Sequence, residues 1–398
     1  MLAAVAVLTT YTIGVVSRPL WLRDPAQAEV LHGALKRLFE PWAHWDGVWF
    51  IRIASGGYGS HASTQAFFPL YPLLLRVFAP AAGHNYVIAG VIISVTCYAA
   101  AMAVLYRLAN DEAGPRIALW SVVFISVFPM ALFFQAVYSE SLFLLLTLSS
   151  FAAARRGRWA LAGLAGLLAA LTRSSGLLLV APLALIWWEQ HRGRPVRLPG
   201  GPAVTPPTPA RRPSWRSLAW LLLLPAGLAL YMAYLWRQFH DPLLFSDAQR
   251  AWGRTLALPT TAVWRGFVSA VQAAHWLVVP GAQASPGAPA KGGAWHLDLL
   301  ANLPAFLALL LALRLLVGCW RRLPAPYTVY AVAACLFPLF YPESSQPLSS
   351  YPRFLLVNFP LFITLALLLA EGRLWRWVVV GVMLVLSVVA TILFASFA

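Results

Sequence analysis

Charged side chains are scarce in this sequence, and their scarcity excludes a water-soluble protein. Only 11% of the 398 residues are Asp, Glu, Lys or Arg, whereas 60% are hydrophobic. A soluble domain of this size needs a far larger charged surface, so the composition predicts a polytopic membrane protein. The 18 tryptophans and 13 tyrosines agree with this class, because their amphipathic rings collect at the level of the lipid headgroups.

Three further absences narrow the function. The cysteines are only Cys97, Cys319 and Cys335, which lie in or near apolar runs, so we expect no disulfide framework. No nucleic-acid-binding motif accompanies the net charge of +16, so we expect no nucleic-acid partner. No internal repeat stands out, which leaves an inverted-repeat transporter without direct support.

Apolar runs suited to helices recur along the whole chain. They predict an all-α polytopic membrane protein with about eleven transmembrane helices and further helices in the outer loops. The runs lie near residues 2–17, 86–106, 117–134, 141–154, 159–172, 175–189, 217–237, 297–317, 325–341, 354–370 and 374–396. The run at 67–80 is short and contains Pro69 and Pro72, so we interpret it as an interfacial or re-entrant element. We expect residues 1–398 to form a single integral membrane domain.

The placement of arginine predicts the orientation. With a cytoplasmic N-terminus and an uncleaved first span at 2–17, more than half of the 29 basic residues fall in short cytoplasmic connections. Segment 191–216, rich in Pro and Arg, is then a disordered cytoplasmic linker. Segments 18–84 and 238–296 are then the first and second outer loops. We therefore expect a multi-pass protein of the cell membrane whose chemistry lies on the extracytoplasmic face.

Residues 44–54 are the most informative part of the first outer loop. Asp46 lies there among large aromatic residues, and a charge beside a membrane span is expensive unless it has a role. A sugar transferase on the outer face needs a general base, and cations that hold the phosphate of a lipid-linked donor. Asp46 is the candidate base; the alternatives are a helix N-cap and a structural partner of Arg52. The candidate phosphate-binding residues are Arg173, Arg250, Arg254 and Arg353.

Other outer residues are candidates for binding the sugar or the acceptor. They are His44, Trp45, Trp49, Tyr138, Glu140 and Gln249. The aromatic members have interfacial anchoring as their alternative, and Glu140 has capping of the following helix. Arg250 and Arg254 are four residues apart and are expected to share a helix face, as a phosphate clamp or as a solvated face. For Arg353 the alternative is snorkelling, and for Arg173 it is a structural pairing with an outer carboxylate.

We expect no required metal or other cofactor. A leaving monophosphate carries less charge than a pyrophosphate, so arginines suffice to hold it. A divalent metal held across loops by outer His and Asp side chains is the alternative, and no fixed-spacing ligand motif is present to support it. The outer side chains available for such a site are His44, Asp46, His61, His240, Asp241 and Asp247.

The segment HWDGVWFIRIASGGY at residues 44–58 resembles the first-loop signature of the PIG-V mannosyltransferase family. That family includes the eukaryotic enzyme that adds the second mannose of glycosylphosphatidylinositol anchors, together with prokaryotic relatives. Further segments resemble family motifs in the same order along the chain, at residues 66–72, 137–143, 171–176, 241–245, 249–253 and 351–354. The arginine- and alanine-rich composition suggests a prokaryotic member.

The resemblance implies a GT-C-type fold and a specific reaction. Mannose is transferred from polyprenyl-phosphate mannose, with inversion, to a hydroxyl of a lipid, glycan or protein acceptor. The same resemblance implies that Asp46 is the general base. A multi-span transporter or flippase of a lipid-linked or small solute is the alternative function, although ionisable residues are scarce within the predicted spans.

Overall fold

The computed structural model describes residues 39–60, 63–193, 213–278, 294–344, 346–348 and 350–396. Helices dominate this part of the chain, and no strand occurs within it beyond an isolated bridge between Arg254 and Glu343. The all-α class is therefore confirmed for the described residues. The predicted first span at 2–17, the start of the first outer loop and most of the 191–216 linker lie outside them.

The described residues form sixteen α-helices. In chain order they are α1 (Asp46–Gly56), α2 (Leu70–Phe78), α3 (Tyr86–Ala113), α4 (Pro115–Val127), α5 (Glu140–Arg155), α6 (Trp159–Thr172), α7 (Val180–His191), α8 (Trp215–Leu218), α9 (Leu223–Phe239), α10 (Leu244–Asp247), α11 (Pro259–Val278), α12 (Ala294–Arg322), α13 (Ala325–Leu336), α14 (Tyr351–Leu356), α15 (Phe359–Leu368) and α16 (Arg373–Ser396).

Four helical segments are long and apolar enough to cross a membrane, among the described residues. They are Tyr86–Ala113, Trp215–Phe239, Ala301–Arg322 and Arg373–Phe394. Every predicted apolar run within the described residues coincides with a helical segment, but several of those segments are shorter than a perpendicular span requires. The multi-pass character is thus supported, and the count of about eleven spans stays a prediction.

Within the described residues, the two predicted outer loops are largely helical. The first contains α1 and α2, and the nine-residue α2 is too short to span a bilayer, in keeping with an interfacial or re-entrant element. Its side chains Leu73, Val77 and Phe78 are exposed. The second contains α10 and the 20-residue α11.

Close packing of small residues brings α6 and the α8–α9 segment together. A Cβ on Gly163 would collide with the carbonyl oxygen of Trp220, and one on Gly227 would lie 2.5 Å from the carbonyl oxygen of Leu167. Small residues at helix contacts allow this backbone approach in membrane proteins. The close contact places the end of α6, where Arg173 follows, beside the outer loop helices.

Buried charges occupy both ends of α5. At its C-terminal end Arg155 pairs with Glu112 at 2.6 Å, and the hydroxyl of Tyr327 donates to the same carboxylate at 2.8 Å. At its N-terminal end lies Glu140, which the next section describes. The helix rises by roughly 22 Å between these ends, so the two clusters lie on opposite faces of the helical bundle. The arrangement agrees with the orientation predicted from arginine placement, which remains a prediction.

Candidate active site

A left-handed turn presents Asp46 at the start of α1. Trp45 has a φ of 56°, which reverses the chain between the preceding 3-10 turn and the helix. Asp46 is the first residue of α1, where the helix dipole favours a negative charge. The helix end therefore stabilises Asp46 as a carboxylate. The N-cap position itself is occupied by Trp45, so Asp46 is not the N-cap of this helix.

Hydrogen bonds join the turn around Asp46 to the turn before α5. The amide of Val137 donates to the carbonyl of Trp42 at 2.9 Å. The hydroxyl of Tyr138 donates to the carbonyl of His44 and accepts from the amide of Asp46, both at 3.1 Å. Tyr138 is 1% exposed, so this double contact is shielded from water. Two motifs about 90 residues apart in sequence are thereby held as one unit.

Asp46 forms an ion pair with Arg353, the third residue of α14. Nη1 of Arg353 lies 2.6 Å from Oδ2 of Asp46, and its Nε lies 3.4 Å from Oε1 of Glu140. The guanidinium is 10% exposed and the Asp46 carboxyl is 26% exposed. Rings surround the guanidinium at 5.3 to 5.5 Å from their centroids, those of Phe133, Tyr138 and Phe354.

A second arginine extends this arrangement. Nη1 of Arg173 lies 2.7 Å from Oε1 of Glu140 and 3.4 Å from the hydroxyl of Ser139. Glu140 is almost fully buried, and its other oxygen, Oε2, has no hydrogen-bond partner among the described residues. We refer to the series Asp46–Arg353–Glu140–Arg173 as the charge chain. It joins four of the sequence motifs at one end of the molecule.

The charge chain keeps Asp46 ionised. Burial by itself raises the pKa of a carboxyl, but attraction to Arg353, the hydrogen bond from it, and the charges of Arg254 and Arg173 together lower the pKa of Asp46 below its ordinary value. Burial opposes the charge on Arg353 as well, yet Asp46 and Glu140 raise its pKa further. Arg353 contacts Oδ2 of Asp46, and the carboxyl is 26% exposed, so part of it is accessible from outside.

Arg254 lies near the charge chain, whereas Arg250 does not. Burial, followed by repulsion from Arg353, lowers the pKa of Arg254, and the charges of Asp46 and Glu343 oppose that shift. Arg250 is 76% exposed and pairs with Asp247 at 3.2 Å. The expectation that the two arginines share a helix face is wrong, because the helical turn ends at Trp252 and Gly253 follows in a left-handed conformation.

Aromatic side chains line the neighbouring surface. Trp49 stacks on Phe67 at 6.1 Å and meets Trp252 edge-on at 5.6 Å. Trp252 thus brings the segment containing Gln249 against α1, and the carbonyl of Gln249 accepts from the amide of Arg254 at 3.4 Å. Trp45, by contrast, is 58% exposed.

His44 and the end of α16 complete one wall of the site. His44 is buried, and burial lowers its pKa to about 4 against the opposing effect of a hydrogen bond to the backbone of Phe394. The imidazole is therefore neutral at pH 7. The ring of Phe394 also contacts Phe133 and Tyr138. Nothing in the sequence marks Phe133 or Phe394 as site residues, because both sit in ordinary apolar runs.

The described residues contain no group of three His, Cys, Asp or Glu side chains close enough to share a metal ion. His61, one of the side chains in the metal alternative, lies outside them. Metal independence therefore stays a prediction.

A family model and several curated proteins resemble part of this chain. Residues 2–189 match the family model described as Mannosyltransferase (PIG-V). GPI alpha-1,6-mannosyltransferase 2 of Mus musculus is 33% identical over 161 residues, which are 38% of this chain and 32% of that protein. GPI mannosyltransferase 2 of Drosophila pseudoobscura pseudoobscura is 34% identical over 110 residues, which are 25% of this chain and 24% of that protein. The chain thus spans about a quarter to a third of the length of these curated relatives.

A solved structure offers a more distant likeness. The archaeal oligosaccharyltransferase AglB from Archaeoglobus fulgidus is 12% identical, with a TM-score of 0.41, over 100% of this chain and 55% of that chain. The family match covers Asp46, Glu140 and Arg173, while Arg254 and Arg353 lie beyond it. The resemblance to the family is confirmed: residues 2–189 of this protein are related to the Mannosyltransferase (PIG-V) family.

Proposed function

We propose that this protein is a glycosyltransferase that moves mannose from polyprenyl-phosphate mannose to an acceptor hydroxyl on the extracytoplasmic face of the cell membrane. The observation that carries the proposal is the charge chain. It combines an ionised, partly exposed carboxylate with guanidinium groups suited to a phosphate. The family match supplies the class of sugar.

Asp46 acts as the general base in this proposal. Its depressed pKa keeps it unprotonated at neutral pH, and Arg353 fixes its orientation through Oδ2. Oδ1 then takes the proton from the acceptor hydroxyl. The acceptor oxygen bonds to the anomeric carbon from the face opposite the phosphate. The bond between that carbon and the phosphate oxygen breaks, and its electron pair leaves with the polyprenyl phosphate, so the configuration inverts.

Arg254 and Arg173 are the better placed residues for the donor phosphate. The sequence-based hypothesis put Arg353 on the phosphate, but Arg353 already contacts two carboxylates and is nearly buried. Arg254 is crowded by the like charges of Arg353 and Arg173, and a phosphate placed between them relieves that repulsion. Arg353 serves in this scheme as a positioning residue for Asp46.

The sugar and the acceptor approach from the aromatic surface beside α1. The cluster of Trp49, Phe67 and Trp252 supplies aromatic rings of the kind that contact sugars. The acceptor hydroxyl belongs to a lipid, a glycan or a protein. No cofactor enters this scheme, since arginines hold the leaving phosphate.

The experiment is a transfer assay in membranes. Membranes of a strain lacking the gene supply the acceptor, and polyprenyl-phosphate mannose labelled in the sugar supplies the donor. Purified full-length protein is expected to move label into a product other than the donor. Label that stays in the donor under every acceptor condition contradicts the proposal, and intact donor that crosses the bilayer supports the flippase alternative.

A further inference from the structure

A second group of arginines lies at the far end of α16 from the candidate active site. Arg376 is in the first turns of α16, and its guanidinium sits 5.0 Å from the ring centroid of Trp120 on α4. Trp120 in turn meets Trp377 edge-on at 5.3 Å. The charges of Arg116 and Arg373 act on Arg376 at short range. These three arginines and two tryptophans are called the basic cluster below.

Arg376 is a buried guanidinium that favours the binding of an anion. Its side chain is 5% exposed, and its Nε has no hydrogen-bond partner among the described residues. Arginines are almost never this buried unless they are paired. Yet within the described residues no carboxylate lies within 4 Å of the guanidiniums of Arg116, Arg373 or Arg376. The arginines instead repel one another, so an anionic ligand satisfies both the orphan donor and the repulsion.

The surroundings of the basic cluster indicate where that anion comes from. Leu374, Trp375 and Trp377 are exposed by 74%, 64% and 59%, and they flank the arginines at the start of a membrane-length helix. Exposed tryptophan beside arginine is typical of the depth of lipid headgroups. The first turn of α4 adds backbone amides that no side chain caps, with Gly114 at the N-cap position.

We propose that the basic cluster binds the phosphate of an anionic phospholipid headgroup in the leaflet opposite the candidate active site. The binding chemistry is that of a phosphate held by guanidiniums, and free phosphate is the other source of such an anion. The proposal is independent of the transferase reaction, since α16 separates the basic cluster from the charge chain by roughly 30 Å.

Lipid titration of the purified protein tests this proposal. Full-length protein in neutral detergent is heated with phosphatidylglycerol, phosphatidylcholine or inorganic phosphate, and the thermal midpoint is followed by loss of the folded peak in gel filtration. We expect saturable stabilisation by phosphatidylglycerol alone. Arg116→Gln combined with Arg376→Gln should raise the half-saturating lipid concentration at least roughly 25-fold, because each guanidinium that donates directly to the lipid phosphate contributes at least about a factor of five.

Matched controls separate a specific site from general charge. Arg314→Gln combined with Arg321→Gln also removes two arginines, both exposed, from α12, and should leave the half-saturating concentration unchanged. If the double variant fails to fold, the exposed Arg116→Gln alone replaces it, and we expect this variant to raise the half-saturating concentration at least about fivefold. An equal shift in the control pair, or no shift in Arg116→Gln, overturns the proposal. Stabilisation by inorganic phosphate equal to that by the lipid overturns the lipid assignment.

Discussion

Replacing Asp46 by Asn tests the central assignment, because it keeps the size of the side chain and removes its basicity. The variant retains an oxygen that accepts from Arg353, and its backbone amide still donates to Tyr138. What it loses is the negative charge in a contact of 2.6 Å with a nearly buried guanidinium. Two effects follow, one on stability and one on turnover, and their sizes differ enough to be told apart.

The loss of stability should be moderate. A hydrogen bond to a charged group contributes about 1.5–3 kcal/mol, and Arg353 keeps its second carboxylate, Glu140, at 3.4 Å. Partial exposure of Asp46 reduces the effect further, so we expect a loss of about 2 kcal/mol at most. Since folded proteins are stable by about 5–15 kcal/mol, almost all of the variant should remain folded.

The loss of turnover should be large. Positioned general bases contribute about 10² to 10⁴ in rate, so Asp46→Asn should lower kcat by at least about a hundredfold. The assay is transfer of labelled mannose by purified protein, with the folded fraction measured by gel filtration on the same sample. Because nearly all of the variant stays folded, unfolding cannot account for a loss of that size.

Asp247→Asn is the matched control. It makes the same chemical change in an exposed carboxylate that pairs with Arg250, and it should leave turnover unchanged. A turnover of Asp46→Asn within about threefold of the unmodified protein refutes the assignment of a base. An activity loss that merely follows the folded fraction makes Asp46 a structural partner of Arg353 instead.

Two further predictions follow from the same geometry. Arg254→Gln should raise the KM for the donor by about 10- to 100-fold, because a charged contact to the phosphate is lost. Arg250 is solvent-exposed, so Arg250→Gln should leave this KM unchanged. Equal KM values for the two variants contradict the phosphate role of Arg254. His44 has a folded pKa of about 4 and an unfolded value near 6.5, so the unfolded state binds the additional proton between these values and stability should fall as the pH drops from 6.5 to 4. The loss in the free energy of unfolding is about 3 kcal/mol at most. In His44→Gln the thermal midpoint should therefore depend less on pH across this range. If its slope against pH is the same in the variant as in the unmodified protein, another group is responsible.

Much of the fold was predictable because it depends on local pattern. A helix that faces lipid must be apolar over its length, so each predicted apolar run within the described residues corresponds to a helical segment. The same reasoning failed at Arg250 and Arg254, where spacing alone predicted a shared helix face. Gly253 adopts a left-handed conformation between them, and a single positive φ turns the two side chains into different environments.

The sequence predicted which residues form the candidate site, but it did not predict which of them pair with one another. Asp46, Glu140, Arg173 and Arg353 each lie in a motif that the sequence displays. Arg52 was the suggested structural partner of Asp46, but the ion pair is made by Arg353, 307 residues further along the chain. Such a pairing depends on how helices pack against one another, which no local pattern encodes.

The sequence by itself determined that this is a helical membrane protein with a carboxylate among aromatic residues at 44–54 and motifs that resemble those of the PIG-V family. Composition and periodicity carry that information, because the bilayer acts on every residue in the same way. Only the tertiary structure decided that Arg353 links Asp46 to Glu140 in one charge chain, that Arg254 lies near this chain while Arg250 does not, and that Phe394 lies against Tyr138 in the site. These facts depend on the meeting of distant segments, and packing geometry determines where such segments meet.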